Sequence, residues 1–391
     1  MIKKLTHGDR SSLDVRLLYG LFAFGLIGIP ALYFSGVISI EMVNMLGRYL
    51  TFAMMAVALD LIWGYTGILS LCQAFFFSLG GYAMGMYLAH HGGPEGIIDT
   101  NGWKIPACLY VVYPYKIGEA PADALTPWFW KPFWTLPGTL FFGMLLPAIV
   151  AGLIGFFGFR SRVRGVYFAI LTQAITVAAV NFFSMNNMKL GGTNGLTRFE
   201  YIAGSFHLSD PNVKLTLYLC TLVALIGSYA LCRYIVNSPL GRILVAVRDN
   251  ESALRFYGYA PHTYKMFAYV VAGTITGLAG MLYTPQMGIF TPHNMEASAS
   301  ILVVVWVAVG GRGTLTGPII GALFVNILYN YLTSERDMVF FTWKAEYWQF
   351  VLGVLFVSVA VYFNEGLASL LPGRKTRTKN AEPFVAEEGS R

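Results

Sequence analysis

Charged side chains are scarce in this sequence. Asp, Glu, Lys and Arg make up 12% of its 391 residues, against 56% hydrophobic. A soluble domain could not cover its surface with so few charges, so the bilayer is the solvent for most of the chain. Cysteine is scarce too: Cys72, Cys108, Cys220 and Cys232 show no CxxC spacing, which argues against a disulfide framework or a zinc site. There is no G-x-x-x-x-G-K-[ST] loop to cradle nucleotide phosphates and no H-E-x-x-H. The six histidines form no metal spacing, and His90-His91 sit at the end of an apolar run as interfacial residues. No Ser/His/Asp grouping stands out. The reading is of a non-enzyme with no catalytic, cofactor or metal residues of its own. Met1–Arg16 is polar and the first apolar run has span length, so no cleavable leader is expected.

What the chain has instead is a series of apolar runs. They are Leu17–Val37, Met42–Trp63, Ile68–His90, Leu136–Phe159, Gly165–Met185, Val213–Val236, Met266–Met287, Ala297–Val309, Leu315–Leu332 and Tyr347–Phe363. Most exceed the ~18 residues that cross a hydrocarbon core. They predict an all-α, polytopic membrane helix bundle of about eight to ten transmembrane helices. The transmembrane domain covers 17–371, with a polar segment at 1–16 and a charged tail at 372–391. Ala297–Val309 is too short to span alone and ends at Gly310-Gly311-Arg312-Gly313, as a half-helix would.

An even span count puts both termini on one side. That side holds 18 of the 27 basic residues: four in Met1–Arg16, three in Arg160–Arg164, five in Arg233–Lys265, Arg312, and five from Arg374 onward. The opposite loops hold eight. The positive-inside rule therefore places both termini, and the 237–265 stretch, in the cytoplasm. The net charge of +7 reflects this topology and the lipid surface, so nucleic acid is not an expected partner. Of the outer loops, the 92–135 insertion carries Trp128-Phe129-Trp130 and Phe133-Trp134, aromatic residues suited to the membrane interface. Residues 186–212 form a second, Gly/Asn/Thr-rich outer loop.

The cytoplasmic stretch Asn237–Lys265 has helical periodicity. Leu240, Ile243, Leu244 and Val247 form one stripe, with Ser238-Pro239 as N-cap and first helical residue. Asp249 or Asn250 caps a second short helix, Glu251–Tyr257, which Gly258 ends in the left-handed conformation. An amphipathic, basic helix pair between two spans is a docking element. Its apolar stripe would bury against a partner, flanked by Arg242, Arg248 and Arg255. Anchoring on the membrane surface is the other reading.

Inside the spans, Asp60 is the clearest acidic residue, either paired with a neighbouring basic loop or active in transport. Glycine interruptions come in two places: Gly64-Tyr65-Thr66-Gly67 ahead of Ser70 and Gln73, and Gly310–Gly313 ahead of Gly317 and Gly321. Paired breaks point to a substrate path. Close helix packing is the alternative, since Gly81–Gly85, Gly273–Gly277 and Gly317–Gly321 are all G-x-x-x-G contacts. Packing does not explain the polar Thr66, Ser70 and Gln73.

Ala58–Leu88, FRSRVRGVYFAILTQAIT (Phe159–Thr176), GGTNGLTRF (Gly191–Phe199), YTPQMGIFTP (Tyr283–Pro292) and VVWVAVGGRGTLTGPIIGA (Val304–Ala322) together resemble the permease subunits of bacterial ABC importers. The branch is that of branched-chain amino acid and urea permeases, and the resemblance runs from about Asn44 to Leu371. It implies a subunit of the bacterial inner membrane that binds no nucleotide. Its partners would be a second homologous permease, two ATPase subunits that bind the ATP, and a periplasmic substrate-binding protein. Glu251-Ser252-Ala253, with Gly258, resembles the E-A-A…G coupling loop that docks in the ATPase, Ser252 departing from the pattern. Arg242, Arg248, Asp249, Glu251, Ala253 and Gly258 are the coupling residues so implied. The Phe159–Thr176 stretch, the Gly191–Phe199 loop and the outer insertion are closer to the urea-type branch, GGTNG departing at one position from its GGNNG-like segment. Thr66, Ser70, Gln73, Gln173 and Asn181 supply uncharged hydrogen-bonding groups suited to urea in passage. The expectation is a urea permease, with a branched-chain amino acid permease as the alternative, a passive channel or ion-coupled transporter behind them, and an integral membrane enzyme last.

Overall fold

The computed structural model describes residues 12–91, 127–161, 165–197, 199–203 and 206–333, with short pieces at 336–338, 341–343, 350 and 353–354. The segment 1–11, most of the outer insertion (92–126), nearly all of the last apolar run and the tail at 372–391 lie outside the described residues.

The described chain is a helix bundle with two small antiparallel ribbons. Helix α1 (Ser12–Ala23) runs through a π-helical turn, Phe24–Gly28, into α2 (Ile29–Phe34). Helix α3 (Ile40–Thr66) begins at Ser39, whose hydroxyl caps the Met42 N–H, and ends at Gly67, held at φ +78°. Then follow α4 (Gln73–His90), α5 (Leu136–Arg160), α6 (Val166–Ser184) and α7 (Pro211–Asn237). Two short helices, α8 (Pro239–Asp249) and α9 (Glu251–Phe256), lead into α10 (Pro261–Met287). The last pair is α11 (Ala297–Gly310) and α12 (Thr316–Thr333). Proline at the first position of α7, α8 and α10 fits a site whose N–H has no helical partner.

The centre is α3, α4 and α10. Helix α10 packs on α4, α5 and α3; α7 packs on α3; α12 packs on α11 and α3. Val57 to Ile62 of α3 are all fully buried. Glycine sets the spacing of the inner pair: a Cβ at Gly80 would lie 1.9 Å from the Gly277 carbonyl oxygen, and one at Gly280 lies 1.8 Å from that of Phe77. The outer helices turn Phe141, Phe157, Tyr167, Ile170 and Val223 outward, as a lipid-facing surface requires.

Among the described residues five helices, α3, α5, α6, α7 and α10, are long and apolar enough to cross a membrane by length and composition; the run Tyr347–Phe363, one of those behind the expected eight to ten, lies almost wholly outside the described residues. Inner helices need not be apolar all round. Helix α4 is buried in protein from Gln73 to Ala89, so it tolerates Gln, Ser and Tyr. Helix α12 carries Asn326 and Asn330. Helix α11 has 14 residues, or ~21 Å at 1.5 Å per residue, and is the half-helix foreseen.

Candidate functional site

The linker between α7 and α10 folds as two helices separated by the single residue Asn250. Asn250, not Asp249, is the cap between them: its Oδ1 accepts from the Ala253 N–H at 3.0 Å. Gly258, at φ +80°, ends α9 in a Schellman arrangement, with Gly258 N–H donating to Arg255 O at 3.0 Å and Tyr259 N–H to Leu254 O at 3.1 Å. Ser238 precedes α8 but does not cap it; its hydroxyl donates back to Ile235 O.

The apolar stripe of α8 is spent inside the molecule. Leu244 and Val247 are buried, Leu240 and Ile243 half-buried, and α8 packs on α3 and α7. The expectation that this stripe faces a partner is therefore corrected. Burying it on the parent bundle satisfies the hydrophobic demand locally. What α9 leaves outward is aromatic: Phe256 is 91% exposed and Tyr257 78%, with Arg242 exposed on α8. Glu251 is held from two sides, by Arg255 one turn along and by Lys265 Nζ at 2.7 Å. Burial pushes its carboxyl upward, but the Lys265 ammonium and then the Arg255 guanidinium outweigh that and hold it below its usual value.

The end of α3 meets this linker and the α11–α12 loop at one corner. Arg248 Nη1 donates to Gly64 O at 2.7 Å, while its Nε contacts Asp249 at 3.0 Å. Arg312 Nε donates to Trp63 O at 3.0 Å and the guanidinium lies over the Trp63 ring, 4.8 Å from its centroid. These guanidiniums satisfy carbonyls of the last helical turn, which have no helical donor. Asp60 does not pair with an arginine. Its Oδ1 accepts from the Gly313 N–H at 2.6 Å and its Oδ2 from the Leu315 N–H at 3.0 Å, capping the entry to α12.

A polar seam runs where α3 breaks before α4. The loop backbone freed at Leu71 is met by α6: its N–H donates to Thr172 Oγ1 at 3.0 Å and its carbonyl accepts from Thr176 Oγ1 at 3.2 Å. The Ala74 N–H donates to Ser300 Oγ of α11 at 3.1 Å. Ser70 Oγ lies 3.3 Å from Tyr269 Oη, which also contacts Cys72 Sγ at 2.7 Å. Gln73 Oε1 accepts from Thr276 Oγ1 at 2.8 Å, and its buried Nε2 has no partner among the described residues. Four helices thus contribute to one buried, uncharged polar strip.

A family model described as "Branched-chain amino acid transport system / permease component" matches residues 41–360, a stretch that contains the corner, the linker and the seam. This chain belongs to that family. Among curated relatives, the high-affinity branched-chain amino acid transport system permease protein LivM of Escherichia coli (strain K12) is 27% identical over 276 residues, 65% of this chain and 61% of the relative. The ribose import permease protein RbsC of Haemophilus influenzae is 24% identical over 235 residues, 59% of this chain and 67% of that one. The autoinducer 2 import system permease protein LsrC of Enterobacter sp. (strain 638) is 30% identical over 145 residues, 36% and 39% of the two chains. The chain thus spans about three fifths of the length of the LivM relatives it matches. No solved structure matches it. The permease is a multi-pass protein of the inner membrane, with no phosphate-binding loop of its own.

Within this permease, Ser70 and Gln73 come together on the seam. Gln173 is half-buried on α6, its Oε1 without a partner among the described residues. Thr66 turns its hydroxyl to Ile62 O of its own helix, and Asn181 is exposed, its Nδ2 on Val177 O. Neither joins the seam. The residues that sequence reasoning missed are Thr172, Thr176, Tyr269, Thr276 and Ser300. A signal existed for two of them: Thr172 and Thr176 stand four apart in an apolar run, one above the other on a single helix face.

Proposed function

We propose that this permease is the membrane-spanning subunit of an ATP-driven importer of small polar organic solutes. Energy comes from ATPase subunits docked in the cytoplasm, and solute from a periplasmic binding protein. The observation that carries the reading is the α8–α9 linker: an ordered helix pair, tied to the bundle by Glu251 and Arg248, that presents Phe256 and Tyr257 to the solvent. Large exposed aromatic side chains on a soluble-side protrusion are typical anchors for a protein partner. With no nucleotide loop in the chain, such a partner supplies the energy. A second homologous permease completes the path, against the apolar outer surfaces of α5 to α7.

Branched-chain amino acids are the first substrate reading, supported by the family description and by the names of the LivM relatives. Urea is the second, favoured by the uncharged seam of Ser70, Gln73, Thr276 and Tyr269, which offers hydrogen bonds without an ion partner. The deciding experiment is reconstitution of the permease with its ATPase subunits and binding protein in proteoliposomes. ATP-dependent accumulation of labelled leucine supports the first substrate, and accumulation of labelled urea the second. A vesicle that takes up solute without ATP overturns the importer reading in favour of a channel.

A further inference from the structure

Two segments far apart in sequence, Arg248 of the docking linker and Gly313 of the α11–α12 loop, converge on the last turn of α3. Arg248 reaches the Gly64 carbonyl, Arg312 reaches that of Trp63, and Tyr65 Oη donates to Gly313 O at 3.1 Å. Asp60, one turn back, holds the amides of Gly313 and Leu315. The corner is built for direct contact. A Cβ at Gly64 would lie 2.4 Å from Asp60 Oδ1 and 2.8 Å from Gly313 Cα, and one at Gly67 would lie 2.9 Å from Arg248 Cγ. A Cβ at Gly313 would in turn stand 3.9 Å from Arg248 Nη1.

The bonds of Arg248 and Asp60 in this corner involve charged groups and are partly or fully buried, so they transmit displacement with little slack. The loop they reach joins a half-helix to α12, and half-helix α11 also holds the seam through Ser300 on the Ala74 N–H. Motion of α8 is therefore mechanically connected to the loop that sets where α11 sits.

We propose that Arg248 and Asp60 are positioning residues forming a rigid link, through the end of α3, between the ATPase-docking linker and the α11–α12 hinge. Closure of the ATPase pair, acting on α8, pulls the last turn of α3 and the 311–315 loop as one body and so alters the seam. The inference rests on the importer reading above and names the path by which force travels within it.

The test uses the full-length permease, alone and in its complex, with Arg248→Met, the conservative Arg248→Lys, and Asp60→Asn. Amide hydrogen exchange of the purified permease reads the link directly. Arg248→Met speeds exchange at Gly313 and Leu315 by about tenfold or more, as loss of an anchoring bond to the corner requires. In the reconstituted complex, ATPase binding persists while solute imported per ATP hydrolysed falls about tenfold, Arg248→Lys recovers part of it, and the double variant with Asp60→Asn is no worse than the worse single one. Unchanged exchange at Gly313 and Leu315 overturns the link, as does an unchanged ratio of uptake to ATP hydrolysed. The importer reading fails in a different way, as a wild-type complex with no ATP-driven uptake. If Asp60→Asn does not fold, the Arg248 pair alone decides the question.

Discussion

Lys265, in the second turn of α10, reaches back to Glu251 at the start of α9, Nζ to Oε2 at 2.7 Å. The pair staples the α8–α9 linker to α10, which packs against α3, α4, α5 and α7. Its strength depends on which charges surround the carboxylate, and Arg255 is the other one.

The first prediction concerns pH. The Glu251 carboxyl sits below its ordinary value of 4.5, so its ion pairs stabilise the folded protein fully above that value. The contribution is lost as pH falls from 4.5 through the lower, folded value. In thermal unfolding of the purified permease, the advantage of wild type over Glu251→Gln is constant at neutral pH and shrinks below it. A gap that persists unchanged into strong acid contradicts the assignment.

Phe256→Ser and Tyr257→Ser test the docking surface. Both side chains are mostly exposed, so unfolding shifts by no more than about 0.5 kcal/mol. Binding of the ATPase subunits weakens by about tenfold to a hundredfold if these are anchors of about 2 kcal/mol each. Co-purification at wild-type stoichiometry from dilute detergent solution counts against them.

Glycine spacing between α4 and α10 gives a contrast of two variants. Gly80→Ala forces a Cβ to 1.9 Å from a carbonyl oxygen, whereas Gly227→Ala meets nothing within 4 Å. Overpacking of this kind costs ~1–3 kcal/mol, so Gly80→Ala lowers the melting temperature by several degrees and Gly227→Ala leaves it in place. Equal melting temperatures rule out the close α4–α10 approach.

Gln73→Leu separates path from packing. It removes a buried Nε2 that has no partner among the described residues, and Thr276 can turn its hydroxyl to its own helix, so stability changes by less than about 1 kcal/mol. Uptake nevertheless slows in an intact complex, because the seam loses a group that can bond a passing solute. Wild-type uptake assigns Gln73 to packing.

Much of the bundle is legible in the residues. The apolar runs locate α3, α5, α6, α7 and α10, the Pro239 start and Gly258 stop bound the linker helices, and the short run ending at Gly310 marks the half-helix. These are local properties: span length, missing N–H, left-handed backbone. Hydropathy along the chain does not tell α4, which is enclosed by protein, from the helices that face lipid. The stripe of α8 was read correctly as a stripe and wrongly as a partner's surface, since periodicity says which residues face together but not what they face.

The site divides in the same way. By itself the sequence determined a membrane bundle with a basic, helical linker between two spans and no phosphate-binding loop, because composition and motif are independent of geometry. Only the tertiary structure decided that Asp60 is answered by the amides of Gly313 and Leu315, more than 250 residues along the chain, and that Arg248 closes the same corner from the linker. Buried polar groups must be satisfied, but in a bundle of long helices the partner can come from any helix end that reaches them. That choice is made by helix packing, whose spacing here rests on glycines in contact with backbone, and no pattern along the chain encodes it.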